Sequence, residues 1–138
     1  MLERIKLPRT LMHKMGMIAR DKRKEGFRKS IAPDGTPWTG LKEKTIKAKQ
    51  RKGGRAKKNA PFPLIREEIL MQMVVTAEDN RVVVSVKDER TDIARYHNKG
   101  MGNNPVREHI GFYPGAEKEI IAERDKYIED QVKRIMSY

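Results

Sequence analysis

A basic tract in the first half of the chain limits the fold more than any other sequence feature. Residues 47–66 carry eight lysine or arginine side chains and no acidic one, and Gly53 and Gly54 interrupt them. Like charges at this spacing repel one another, and glycine loses more backbone entropy on ordering than any other residue. We therefore predict an exposed basic loop over residues 47–63. Its candidate contact residues are Lys47, Lys49, Arg51, Lys52, Arg55, Lys57 and Lys58.

The positive charge is concentrated in that half of the molecule. The 138 residues carry a formal net charge of +12, yet residues 67–138 contain 14 acidic and 11 basic side chains. Such a distribution favours a polyanion or an acidic partner surface facing one region of the protein.

Several classes of protein are excluded or disfavoured. The chain has no cysteine, which rules out disulfide scaffolds, zinc–thiolate sites and thiol catalysis. No apolar run approaches the roughly 18 residues that span a bilayer, and no apolar signal core is present near the N-terminus. His13, His97 and His109 are dispersed without metal-ligand spacing, so we expect no metal site, no cofactor and no enzymatic activity.

Apolar residues at helical spacing predict a first helix that is capped by Thr10 or opened by Pro8 and extends to about Ile31. A sharp turn follows it, because Asp34 can accept a bond from a nearby backbone N–H and Gly35 tolerates a positive φ. The predicted structural anchors of this turn are Pro33, Asp34, Gly35, Pro37 and Trp38, the only tryptophan.

Alternating apolar residues in Met71–Ala77 and Val82–Val86, separated by turn-forming residues, predict an antiparallel hairpin. A short helix over residues 91–97 and a third strand over Val106–Phe112 are expected to follow. These elements and the two long helices predict an α+β fold.

The last helix is predicted from near Pro114 to about Met136. Its apolar stripe comprises Ala116, Ile120, Tyr127, Ile128, Val132, Ile135 and Met136. We predict one domain over residues 1–138. Its small antiparallel sheet, a hairpin plus one or two strands, would pack with the N-terminal and C-terminal helices.

Three stretches together resemble a known family. Phe27 and the run Ser30-Ile31-Ala32-Pro33-Asp34-Gly35-Thr36-Pro37-Trp38 form the first stretch, Ala94–Gly100 the second, and Pro105–Phe112 the third. In this order they resemble the motifs of the phage virion morphogenesis family, the tail-completion and neck proteins of Mu-like and P2-like tailed phages. The chain departs from the family pattern where Tyr96 follows Ala94-Arg95 and where Glu108-His109 replaces Pro-Phe.

The resemblance implies a structural subunit that assembles as a ring, hexameric or dodecameric, between the head connector and the tail. The implied neighbours are the head connector and a tail-terminator or tail-tube protein, with assembly in the host cytoplasm, a final position at the virion neck and no membrane. The basic loop would order against an adjacent ring or make non-specific contact with packaged DNA. Further contact candidates are Tyr96, His97 and Arg107. The alternative is a small, non-specific nucleic-acid-binding protein that uses the basic N-terminal half.

Overall fold

The computed structural model describes residues 6–64, 69–87, 90–102 and 105–137. Within these ranges it confirms the α+β class, with helices and one two-stranded antiparallel sheet. The elements in chain order are α1 (Arg9–Lys29), α2 (Glu43–Lys52), α3 (Gly54–Lys58), β1 (Met73–Ala77), β2 (Val82–Val86), α4 (Thr91–Lys99) and α5 (Ala116–Met136).

The hairpin packs its inner face against α1. Met73 pairs with Val86 and Ala77 with Val82, so alternate side chains of both strands turn toward the helix. A glycine on α1 allows this close approach, because a Cβ at Gly16 would lie 2.5 Å from Cγ1 of Val75. The helix and the hairpin thus form the two layers of this part of the fold.

Helix α5 packs against α1 through its first half. Ion pairs join Lys22 to Glu119 at 3.0 Å and Lys14 to Glu123 at 2.8 Å, so the two helices run in opposite directions. Beyond Glu123, α5 continues for 13 residues, about 20 Å, whereas α1 has only five residues, about 8 Å, before Lys14. Helix α5 therefore extends past the start of α1.

This offset corrects the predicted packing of the last helix. The bounds of α5 agree with the prediction, but Ala116 is the only residue of the predicted stripe that is buried. Val132, Ile135 and Met136 are exposed, because they lie beyond the first residue of α1, Arg9, and α1 does not cover them.

The predicted basic loop is also corrected, since most of residues 47–58 are helical in α2 and α3. The reason is an inward-pointing lysine: Lys49 is buried, and its Nζ donates to the carbonyl oxygens of Asn59 at 3.3 Å and Phe62 at 2.6 Å. Ala56 and Ala60 are buried with it. The segment therefore has its own small packed side, and its other cations are exposed.

Residues 105–112 form no strand, although a third strand was predicted over Val106–Phe112. The described residues contain one sheet, and it has two strands. The chain bends at Ile110 and Gly111, and side chains from other elements occupy backbone groups that a strand would need.

Candidate assembly surface

The turn after α1 is closed by local hydrogen bonds. The Thr36 backbone N–H donates to Oδ1 of Asp34 at 2.9 Å, and the Trp38 N–H donates to the Ser30 carbonyl at 2.8 Å. Gly35 has a φ of +88°, a conformation that favours glycine. The turn brings Trp38 back beneath the end of α1.

Three aromatic rings meet at that position. Phe27 is fully buried, and its ring packs edge-on against Trp38 at a centroid distance of 5.2 Å and against His109 at 5.6 Å. The Arg23 guanidinium carbon lies 5.1 Å from the centre of the Phe27 ring, within the range of a cation–π contact. The cluster joins α1, the turn and the 105–112 segment.

Arg23 and His109 form a buried polar pair inside this cluster. Arg23 donates from Nε to the His109 carbonyl at 3.0 Å and from Nη2 to the His109 ring Nδ1 at 2.7 Å. Because guanidinium can only donate, Nδ1 must accept and the ring proton lies on Nε2, which faces the Ala94 carbonyl at 2.8 Å. Burial and the Arg23 charge lower the pKa of His109 from 6.5 to about 4, so the ring is neutral at pH 7.

Side chains from two other elements hold the backbone of the 105–112 segment. The Trp38 indole N–H donates to the Glu108 carbonyl at 2.7 Å. Oδ1 of Asn98, on α4, accepts the backbone N–H groups of His109 at 2.9 Å and Ile110 at 3.1 Å. Because these carbonyl and N–H groups already form hydrogen bonds with side chains, they are not available for pairing with another strand. This explains why the segment has no regular secondary structure.

Arg107 fixes the same segment to the turn. Its Nε donates to the Thr39 carbonyl at 3.0 Å and its Nη2 to the Gly40 carbonyl at 3.3 Å, and its backbone N–H donates to the His97 carbonyl at 2.9 Å. Arg107 is buried, so its guanidinium binds carbonyl groups of the same chain and is not presented to a partner.

The outward side of this segment is apolar. Arg107 and His109 point inward, while Val106, Ile110 and Phe112 are exposed, the last two at 63% each. We call Val106, Ile110 and Phe112 the outward row, and Glu108 is the one charged side chain exposed among them. A segment that is anchored on one side and apolar on the other is suited to contact with another protein.

The three stretches that resemble one family meet in this cluster and its anchors, and one family model covers them all. The model of the phage virion morphogenesis family matches residues 1–129. The chain belongs to the phage virion morphogenesis family. Comparison with curated proteins and with solved structures gave no significant match. Membership places the protein in bacteriophage virion assembly.

In this family member the ten predicted contact residues are separated into three groups by burial. Lys49 and Arg107 are buried and bind backbone carbonyls, which is a correction to their expected place on the surface. His97 is half-buried, and desolvation followed by the Arg107 charge lowers its pKa. The others are exposed: Lys47, Arg51, Lys52, Arg55, Lys57, Lys58 and Tyr96.

We call the exposed surface of α2 and α3 the basic face, and its cations include Lys47, Arg51, Lys52, Arg55, Lys57 and Lys58. Lys47, Gln50, Arg51 and Lys57 line an open groove there. Glu43 neutralises part of its charge, because its carboxylate lies 2.8 Å from Lys47 Nζ. The described part of the chain holds no group of three His, Cys, Asp or Glu side chains placed for a metal ion, and none of its helices is long and apolar enough to cross a bilayer.

Sequence reasoning missed Arg23, Asn98 and the apolar outward row. One signal was present, since Val106, Ile110 and Phe112 alternate with Arg107 and His109 at the period of an extended chain. The usual reading of that pattern puts the apolar residues inside, and here they are outside. The partners of the inward residues are distant in sequence, as Arg23 and His109 are 86 residues apart.

Proposed function

We propose that this protein is a structural subunit of a neck or tail-completion ring that joins the head connector to the tail of a tailed phage. The observation that carries the proposal is the outward row: a rigidly anchored, apolar surface on a member of a virion morphogenesis family. Exposure of these apolar side chains to water is unfavourable in a monomer. Their burial beneath a neighbouring subunit removes that unfavourable free energy and so favours assembly. The role is assembly, without a reaction or a cofactor.

A phage that lacks this protein tests the proposal by complementation. We expect heads and tails to accumulate unjoined, and the wild-type protein to restore complete particles seen by electron microscopy, with the protein at the neck. The double variant Ile110→Asp with Phe112→Asp should fold, since both side chains are exposed, yet fail to restore joining. Normal particles without the protein, or a label located away from the neck, would contradict the proposal.

The basic face supports a second candidate function, non-specific contact with nucleic acid. Its exposed lysines and arginines could each neutralise a phosphate, and such binding weakens steeply as salt rises. A plot of log affinity for duplex DNA against log salt has a negative slope. We expect the double variant Lys57→Gln with Lys58→Gln to make this slope shallower by about 2, because two phosphate contacts are lost. Gel shifts over a salt series measure that slope.

The matched control removes two exposed lysines from α5, Lys118→Gln with Lys126→Gln, and should leave the slope unchanged. Substituting Lys57 and Lys58 removes charge without disturbing packing, whereas deleting α3 would also remove the buried Ala56. If both double variants make the slope shallower to the same degree, the basic face is not a DNA-binding surface.

A further inference from the structure

An apolar groove of about 480 Å³ lies between α1, β2 and the end of the 105–112 segment. Gly16 and Ala19 of α1 line one side and Val84 of β2 lines another. Ile110 and Phe112 belong to both the groove and the outward row. Ile120, in the first half of α5, lines the groove as well. No residue in the described ranges fills this space, although its volume is typical of a binding pocket.

The second apolar surface of the molecule is the end of α5. Ile128, Val132, Ile135 and Met136 are spaced i, i+4, i+7 and i+8, so they form one stripe along the helix. Ile135 is 58% exposed and Met136 is 79% exposed. We call these four residues the tail stripe. A helix end with such a stripe is the shape that docks into an apolar groove.

The groove and the tail stripe lie far apart on one copy. Ile120 and Met136 are 16 residues apart on α5, about 24 Å along its axis, so a copy cannot place its tail stripe in its own groove. A contact between two different, separated patches is head-to-tail, and such a contact closes into a ring or continues as a filament.

The first and last turns of α5 carry charges of opposite sign. The first turn of α5, near the groove, carries Glu117 and Glu119, and its last turn carries Lys133 and Arg134. Glu119 pairs with Lys22 within the chain, whereas Glu117 and Arg134 have no ion-pair partner among the described residues. A second copy that brings its last turn to the groove would therefore place a cation near a carboxylate.

We propose that the tail stripe of one copy docks into the apolar groove of the next copy, and that this contact builds the assembly. The inference rests on the proposed ring function and names the two surfaces that form it. It requires that each copy use its groove for one neighbour and its tail stripe for the other.

Mixing two variants tests this arrangement in the full-length protein. The tail variant is Ile135→Asp with Met136→Asp, and the groove variant is Ile110→Asp with Phe112→Asp. Every substituted residue is exposed in the monomer, so we expect both variants to fold, which a thermal melt checks. If one variant fails to fold, Val132→Asp replaces the tail variant and Phe112→Asp alone replaces the groove variant.

Sedimentation over a concentration series gives the expected result. Wild type should self-associate, and each variant alone should associate at least about 30-fold more weakly, the loss expected for hot-spot residues. An equimolar mixture should form a 1:1 dimer and stop there, because the intact groove of the tail variant accepts the intact tail stripe of the groove variant. A control on the outer hairpin face, Val74→Asp with Val83→Asp, should associate like wild type.

Three results would overturn the contact: a monomeric wild type, a mixture that stays monomeric, or a control that loses association to the same degree. Each is distinct from failure of the proposed function. A monomeric wild type that still restores joined particles would leave the neck role standing and remove the contact. If the protein associates head-to-tail but particles form normally without it, the contact stands and the neck role is removed.

Discussion

Phe27→Ala is expected to destabilise the folded monomer by about 3–5 kcal/mol, as for other aromatic residues removed from a core. The Phe27 side chain is fully buried and is the ring that Trp38, His109 and Arg23 all contact. Its removal leaves a cavity at the point where α1, the turn and the 105–112 segment meet. Chemical denaturation measures the change.

Phe112→Ala is the matched control, because it removes the same side chain from a position that is 63% exposed. At a protein concentration low enough to keep the chain monomeric, it should cost less than about 1 kcal/mol. Equal losses for the two variants would show that the Phe27 cluster does not hold the fold together.

Lowering the pH from 6.5 to 4 is expected to cost about 3 kcal/mol of stability through His109 alone. Its pKa is about 4 in the folded protein and about 6.5 when unfolded, so the unfolded chain binds the extra proton over this range. The stabilisation is therefore complete above pH 6.5 and is lost as the pH falls toward 4. The pKa is lowered first by burial of the ring and then by the charge of the Arg23 guanidinium, which donates to the nitrogen where that proton would bind.

His109→Gln isolates this effect from the other titrating groups. The variant lacks the ring that titrates, but it keeps an amide that can accept from Arg23 and donate to the Ala94 carbonyl. Denaturation at several pH values gives the slope of the unfolding free energy for both proteins. Wild type should show the steeper slope between pH 4 and 6.5, and parallel slopes would contradict the assignment to His109.

The elements that the sequence predicted correctly are those whose signal is local. The stripe of α1, the alternation of β1 and β2, and the glycine that ends α4 each lie within one short window of the chain. The start of α1 was predicted with Thr10 as its cap or Pro8 in its first turn, and the structure places the N-cap at Pro8. A period of 3.6 or 2 residues and a turn residue suffice for such elements.

What the sequence did not predict depends on partners far along the chain. The basic tract is mostly helical because Lys49 turns inward to carbonyls 10 and 13 residues away, a use of lysine that its charge does not suggest. The 105–112 segment is held by Trp38 and Arg23, 70 and 86 residues away from the groups they bind. Composition and periodicity cannot reveal such contacts, so the candidate assembly surface emerged only from the structure.

Because inward and outward side chains alternate along the 105–112 segment, the identity of its outward residues can vary, whereas its length cannot. Its outward residues touch little within the described part of the same copy, so they can be exchanged to suit a different neighbour. Its spacing is fixed, because one inserted or deleted residue would turn His109 to the solvent and leave the Arg23 charge buried without its acceptors. The chain can therefore acquire a new contact specificity by substitution in this segment without refolding, while a change of length there would unfold it.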